Sequence, residues 1–299
     1  MKQTLFTNEV MLSWLRYFTE HVGLSLPELR ILDITGENKN LIPAVMSSRA
    51  VLVFTDAGHP DIFYNMWNAE LGECDIWYNE GSEPSGEMKH GKLSDLINRG
   101  INASAAMLIL NPNAATNYQT GMDNSRFSCG SVHYVCREVR AVIMNKLSLG
   151  DRTRLCVISG ESIAVEAAIL AAEGSVVAVE YDGRDRNTMR ENVDKFGLNN
   201  VTVVDSLNDK VLEKLPAPEI AFIVASPRLG SEVKRLLALN PAMRFVIYTL
   251  DFEILSSLSA LFLENGLTRT EAIHVMVSRV NSKNRMEPFP APWIVSAGS

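Results

Sequence analysis

The chain has 299 residues, 46% of them hydrophobic and 21% charged, with a formal net charge of −7. That length holds two domains of ordinary size, each with its own core. The acidic balance argues against nucleic acid or an anionic membrane surface as a partner. Glu9 and Arg16 interrupt the apolar start, so no signal-peptide core is expected. No run of about 18 apolar residues offers a bilayer span, and the expectation is a cytoplasmic protein.

In chain order, Met11, Trp14, Leu15, Phe18 and Val22 recur at helical spacing and predict a helix over 10–22. Apolar runs at 30–34, 50–54, 75–78 and 105–110 predict strands, with helices at 41–46, 60–71 and 93–99 between them. Residues 79–91, rich in Gly and Pro, predict a surface loop. The stretch Asp56-Ala57-Gly58-His59-Pro60 follows a strand; it suits a plain turn, with a ligand loop as the alternative. From 111 to 130 the chain is polar and has no hydrophobic period, which predicts a first domain over 1–115, a linker over 116–130 and a second domain over 131–299. Alternating helices and strands on both sides predict parallel α/β architecture twice.

In the second domain, Val139, Val142, Ile143 and Leu147 predict an amphipathic helix over 138–147. Arg137 and Glu138 at its start either line a cleft or face solvent. Strands are expected at 154–158, 176–180, 201–204, 220–224, 244–250, 271–280 and 293–296, the last two joined without a helix, and the best helices lie at 186–196 and 253–265. His274, inside an apolar run, is expected in the core. Cys74, Cys129, Cys136 and Cys156 lack metal-ligand spacing and predict free thiols. Cys129, His133 and Cys136 have no fourth ligand nearby, so no metal is expected.

The stretch from Arg154 to Glu180, RLCVISGESIAVEAAILAAEGSVVAVE, has the outline of a βαβ unit that binds an adenosyl nucleotide. An apolar strand enters the turn Ser159-Gly160-Glu161, an Ala-rich helix follows, and a second strand ends on Glu180, where such folds hold ribose hydroxyls. The turn keeps one glycine where three are usual. Glycines there let backbone N–H groups approach a ligand. Asp205, after the third strand, is a candidate for the adenine amino group, or a turn-forming Asp. No Ser/His/Asp triad or paired carboxylates stand out, so no catalytic side chain is assigned.

Several segments together carry a family resemblance: REVRAVIMNKLSLGDR, the turn just described, EYDGRDRNTMRENVDKFGLNNVTVV and PAPWIVS. They resemble precorrin-6Y C5,15-methyltransferase of cobalamin biosynthesis. ILDITGENKNLIPAVMSSRAVLVFTDAGHPDIFYNMW and GSEPSGEMKHGKLSDLI resemble the second half of a tetrapyrrole methylase domain. The resemblance implies a C-terminal Rossmann-like, seven-stranded class I methyltransferase domain after a smaller α/β domain. It implies methyl transfer from S-adenosylmethionine to a corrinoid or other tetrapyrrole ring carbon, with decarboxylation of an acetate side chain, in a homo-oligomer. The implied cofactor-binding residues are Ser159, Gly160, Glu161, Glu180, Tyr181, Asp205 and Ser206.

The chain departs from that family at defined places. Leu155, Val157, Ser159 and Glu161 stand at the family's acid and three glycines, and Val135-Cys136 at its Thr-Lys. Val204-Asp205 stands at its Gly-Asp, Val224-Ala225 at its Gly-Gly, and the first half of the methylase domain is missing. These departures leave a second reading open, a non-catalytic methyltransferase fold serving assembly or regulation, and a third, a methyltransferase turned to another small molecule.

Overall fold

The computed structural model describes residues 6–35, 39–81, 83–84, 88–115, 120–130, 135–208, 210 and 212–298. His133 lies outside them, as does part of the expected linker. The chain divides into two compact units, one of residues 1–118 with 194–199, the other of residues 119–193 with 200–299.

The first unit carries α1 (Asn8–Val22), β1 (Leu29–Asp33), α2 (Leu41–Ser47), β2 (Ala50–Thr55), α3 (Ile62–Asn68), β3 (Asp75–Glu80), β4 (Lys89–Lys92), α4 (Leu93–Leu96) and β5 (Ala105–Leu110). Its sheet runs β1-β2-β5-β3-β4. Strand alternation sets its two faces. Val51 and Val53 join Ile62, Phe63 and Met66 of α3 in one core, while Leu52 and Phe54 meet Trp14 and Phe18 of α1 in another. The expectation of a parallel sheet needs correction, because only β1 and β2 are parallel and the other pairs are antiparallel. The reason is β5, an apolar strand inserted between β2 and β3 and running against both. β4 was expected as loop; its sequence KHGK has no apolar signal because it is an exposed edge strand. In the turn at 56–60, Asp56 Oδ1 accepts from Gly58 N at 2.8 Å, as in an ordinary Asx turn.

The second unit carries α5 (Arg137–Leu147), β6 (Arg154–Ile158), α6 (Glu161–Leu170), β7 (Ser175–Val179), α7 (Gly183–Lys195), β8 (Val201–Val204), β9 (Ile220–Val224), α8 (Leu229–Leu239), β10 (Arg244–Thr249), α9 (Phe252–Glu264), β11 (Thr268–His274), β12 (Ser278–Val280), β13 (Met286–Pro288) and β14 (Trp293–Gly298). The seven-stranded Rossmann-like sheet expected here is present, in the order β11-β14-β10-β9-β6-β7-β8. β14 is antiparallel to both its neighbours. The order turns back at β6, whose neighbours are β7 and β9, so the loop after β6 opens at the switch point where such sheets bind ligands. Cys156, Ile158, Ala221, Ile223 and Phe245 face Val233 and Leu236 of α8 and Phe262 of α9.

Three expectations for this unit need correction. The predicted strand 271–280 is β11 followed by a separate hairpin of β12 and β13, which the short, polar alternation of 278–288 conceals. His274 is exposed rather than buried, because β11 is the edge strand; its ring stacks on Trp293 at 4.6 Å between centroids. Residues 120–130, read as linker from their polarity, pack as part of this unit, with Met122 and Phe127 buried. No helix among the described residues is long and apolar enough to cross a membrane.

Candidate functional site

The loop after β6 shows what its missing glycines cost locally. Ser159 takes the left-handed conformation, φ 56°, and donates its N–H to Val179 O at 3.1 Å. A side chain is disfavoured in that conformation, which glycine tolerates freely. Val157 is fully buried in the strand. Its bulk is absorbed by Gly160: a Cβ there would lie 3.1 Å from Val157 Cγ1 and 3.0 Å from the Phe222 ring. The one retained glycine therefore answers to packing inside the sheet.

Glu161 opens α6, where the helix dipole favours an acid. It is 8% exposed, and its carboxylate accepts from Gly130 N at 3.2 Å. Glu180, at the end of β7, is 2% exposed and Asp185, in the first turn of α7, is 5% exposed. A Cβ on Gly130 would sit 2.6 Å from Asp185 Oδ1 and 3.4 Å from Glu161 Oε2, so only glycine passes between these two acids. Burial pushes the Glu180 carboxyl up to about 8, with Glu161 and Asp185 adding to the shift. Burial raises Glu161 as well, with Asp185 adding and the Gly130 N–H opposing. Among the described residues, Glu180 Oε1 has no hydrogen-bond partner.

Residues 121–130 are brought over this loop by buried polar anchors. Arg140 on α5 and Glu166 on α6 form an ion pair at 2.6 Å with both side chains fully buried. Glu166 accepts the N–H groups of Gly121 and Met122, and Arg140 donates to Met122 O and to Asn124 Oδ1 and stacks its guanidinium on the Phe127 ring. Asn192 on α7 then holds Ser128 both ways, accepting its N–H at 2.8 Å and donating to its carbonyl at 3.0 Å. Gly130 is thereby delivered to Glu161.

The structure brings Ser159, Gly160, Glu161 and Glu180 together and sends the other expected residues elsewhere. The Tyr181 hydroxyl donates to Glu232 Oε1 on α8 at 2.8 Å, and Arg228 covers its ring at 4.5 Å. Asp205 is exposed and lines an open cavity of about 540 Å³ with Gly183, Arg186, Asn187 and Arg190. Ser206 beside it is partly buried. Arg137 and Glu138 are half-exposed, and Arg279 donates to both carboxylate oxygens of Glu138. Partial burial pushes the Glu138 carboxyl up, but the hydrogen bonds from Arg279 and Arg137 prevail and hold it at about 2. Asp185, Gly130 and Asn192 were absent from the sequence reading. An acid two positions into a polar helix and a glycine in a polar stretch carry no signal of their own. Among the described residues, no group of His, Cys, Asp and Glu is arranged to hold a metal ion.

Comparison with known proteins gives this site its setting. A precorrin-6Y C5,15-methyltransferase from Geobacter metallireducens has a similar fold, with 24% identity and a TM-score of 0.55 over 60% of this chain and 95% of that one. Two further structures match at lower TM-score. The C-terminal domain of a precorrin-6Y C5,15-methyltransferase from Rhodobacter capsulatus shows 21% identity and a TM-score of 0.48 over 60% of this chain and 97% of that one. A precorrin 8w decarboxylase from Methanobacterium thermoautotrophicum shows 20% identity and 0.48 over 60% of this chain and all of that one, 100%. A search of curated proteins finds no match. The family model described as precorrin methyltransferase domain matches residues 133–290. That match spans more than half of the chain, and the protein belongs to the precorrin methyltransferase domain family.

Proposed function

We propose that the second unit is a methyltransferase acting on a corrinoid or another tetrapyrrole, with an adenosyl cofactor held at the carboxyl ends of β6 and β7. The observation that carries this reading is Glu180. It is a buried carboxyl at the end of the second strand, beside the switch-point loop, with Oε1 lacking a hydrogen-bond partner among the described residues. A ribose diol supplies the donors that such an oxygen lacks. When bound, S-adenosylmethionine supplies an electrophilic methyl group on a sulfonium. The protein's part is positioning, with Glu180 orienting the ribose and the segment 121–130 excluding water. Decarboxylation of an acetate side chain and assembly as a homo-oligomer complete the reading.

The fit to the whole cofactor is partial. The ribose end suits Glu180, whereas Glu161 places a carboxylate where the loop would otherwise receive the ligand's amino-acid tail. The test is transfer of labelled methyl from millimolar S-adenosylmethionine to a precorrin substrate, with Glu180→Ala as control. Label in the corrinoid, reduced at least about a hundredfold in the variant, supports the reading. No transfer, together with no binding of S-adenosylmethionine or S-adenosylhomocysteine at millimolar ligand, overturns it.

A further inference from the structure

β10 and β11 are both antiparallel to β14, so β11 runs with β10 and ends at the carboxyl edge of the sheet. That is the edge where open α/β sheets bind ligands. Residues 275–292, between β11 and β14, therefore stand beyond it, and they form a ribbon of their own. Val275 donates its N–H to Pro292 O at 3.0 Å and Phe289 to Val277 O at 2.9 Å. Ser278, Arg279 and Val280 then pair with Pro288, Glu287 and Met286. At the tip, Asn281 Oδ1 accepts the N–H groups of Lys283 and Arg285.

This ribbon does not join the large sheet. Every residue of β12 and β13 is exposed, Val280 and Met286 by 66% and 73%. A two-stranded hairpin without a buried face is marginal by itself and needs an anchor. Among the described residues, the side-chain hydrogen bonds that tie 278–288 to the rest of the unit are those of Arg279. They run to both carboxylate oxygens of Glu138, at 3.0 and 2.8 Å.

The anchor spans an apolar cleft. One wall is the start of α5, with Val135, Cys136 and Val139; the other is Phe289 and Pro290 at the foot of the ribbon, and Tyr248 of β10 completes the lining. The Arg279 guanidinium covers the Phe289 ring at 4.9 Å while its hydrogen bonds go to Glu138, so one side chain holds both walls. Held this way, the cleft has a volume of about 10 Å³, room for about one water, and Cys136 is 4% exposed. An ion pair whose partners are 44% and 38% exposed is weak. It biases the ribbon towards the closed position and breaks at little cost.

We infer that the β12–β13 ribbon is a lid over the cleft at the carboxyl end of β10, latched shut by Arg279 on Glu138. With the latch broken, the ribbon swings on its stem and the walls part beside Tyr248. The surface this uncovers is apolar and aromatic, suited to the face of a flat ring. The latch is made by the chain's own residues and stands independently of the adenosyl site.

The reactivity of Cys136 reads the latch. In a Cys129→Ser chain the exposed thiol is gone. Cys74 and Cys156 are buried, their thiols pushed up to about 11 and about 12, and serve as slow internal references. Alkylation of Cys136 by N-ethylmaleimide is followed by mass spectrometry in this chain, in Arg279→Gln and in Glu138→Gln. Breaking the pair is expected to raise the rate at least about threefold in each variant, with no further rise when the two are combined. Arg279→Gln leaves α5 untouched, so fraying of that helix does not account for a rise there. Sodium chloride at about 1 M should raise the rate in the Cys129→Ser chain as well, which decides the matter if a variant folds poorly. A rise below about threefold in Arg279→Gln overturns the lid, as does a rate indifferent to salt. A parallel rise at Cys156 overturns it too, because it reports general loosening.

Discussion

Arg140 Nε lies 2.6 Å from Glu166 Oε1, and neither side chain reaches solvent. The pair ties α5 to α6, and through the backbone of Gly121 and Met122 it also fixes the segment that ends on Gly130. Removing one partner of such a pair strands a buried charge. Arg140→Met is expected to destabilise the second unit by about 3–5 kcal/mol. Chemical denaturation checks this, read on the second unit's own transition because the two units need not unfold together. The double variant Arg140→Met/Glu166→Met should recover part of the loss, though not the N–H bonds that Glu166 accepts.

Ser159 stands in a conformation that favours glycine, and among the described residues no hydrogen bond of its side chain compensates it. Ser159→Gly removes the strain while loosening the unfolded chain, and these effects oppose each other. The expected net result is a gain of up to about 1 kcal/mol, measured by thermal or urea unfolding. A loss of more than about 1 kcal/mol would mean that the serine side chain carries a contact of its own.

Gly130→Ala tests the closeness of the acids. The new methyl group would lie 2.6 Å from Asp185 Oδ1, so residues 128–130 must shift and the bond to Glu161 is lost. A cost of about 1–3 kcal/mol is expected, smaller in an Asp185→Ala background. Equal costs in both backgrounds would show that the contact with Asp185 is not the cause.

The pH dependence follows from the direction of the shift at Glu180. Its carboxyl is raised from the ordinary 4.5 to about 8 in the folded protein. Between those values the folded state keeps a proton that the unfolded chain has released. The stabilisation is therefore complete below 4.5 and is lost as pH rises towards about 8. Glu161 and Glu232, also raised by burial, act with the same sign. The melting temperature of the second unit should fall as pH is raised from 5 to 8, by several degrees on the order of those expected for a domain of this size. Glu180→Gln should flatten the slope.

Much of the fold was legible because it rests on local apolar patterning. Alternation along β2 separates Val51 and Val53 from Leu52 and Phe54, and each pair reaches its own core. Most strands of the second unit's large sheet announce themselves as apolar runs, and a seven-stranded sheet follows from their count and connections; β11, TRTEAIH, is the exception. β4 and the β12–β13 hairpin escaped notice for the same reason, since they are exposed and polar and bury little that would mark them.

The site was legible only in part. Glu180 and the turn Ser159-Gly160-Glu161 follow from the order of strand, turn, helix and strand, which is a property of one short stretch. Tyr181 and Asp205 sit beside the expected places in sequence, yet their surroundings turn them elsewhere. Tyr181 bonds with Glu232, and Asp205 opens towards Arg186 and Arg190.

From residue order alone came the chain's α/β character, its switch-point loop and the replacement of that loop's three glycines by Val157, Ser159 and Glu161. The meaning of that loss depended on residues far apart in the chain. Gly130, Glu161, Glu180 and Asp185 come from a coil, two helices and a strand end, and their patterns say nothing of one another. Burial and pairing are properties of neighbours in space. Folding took the Glu161 side chain, which reads as a defect in a nucleotide loop, and set it as an acceptor for Gly130 beside Glu180, whose Oε1 has no hydrogen-bond partner among the described residues.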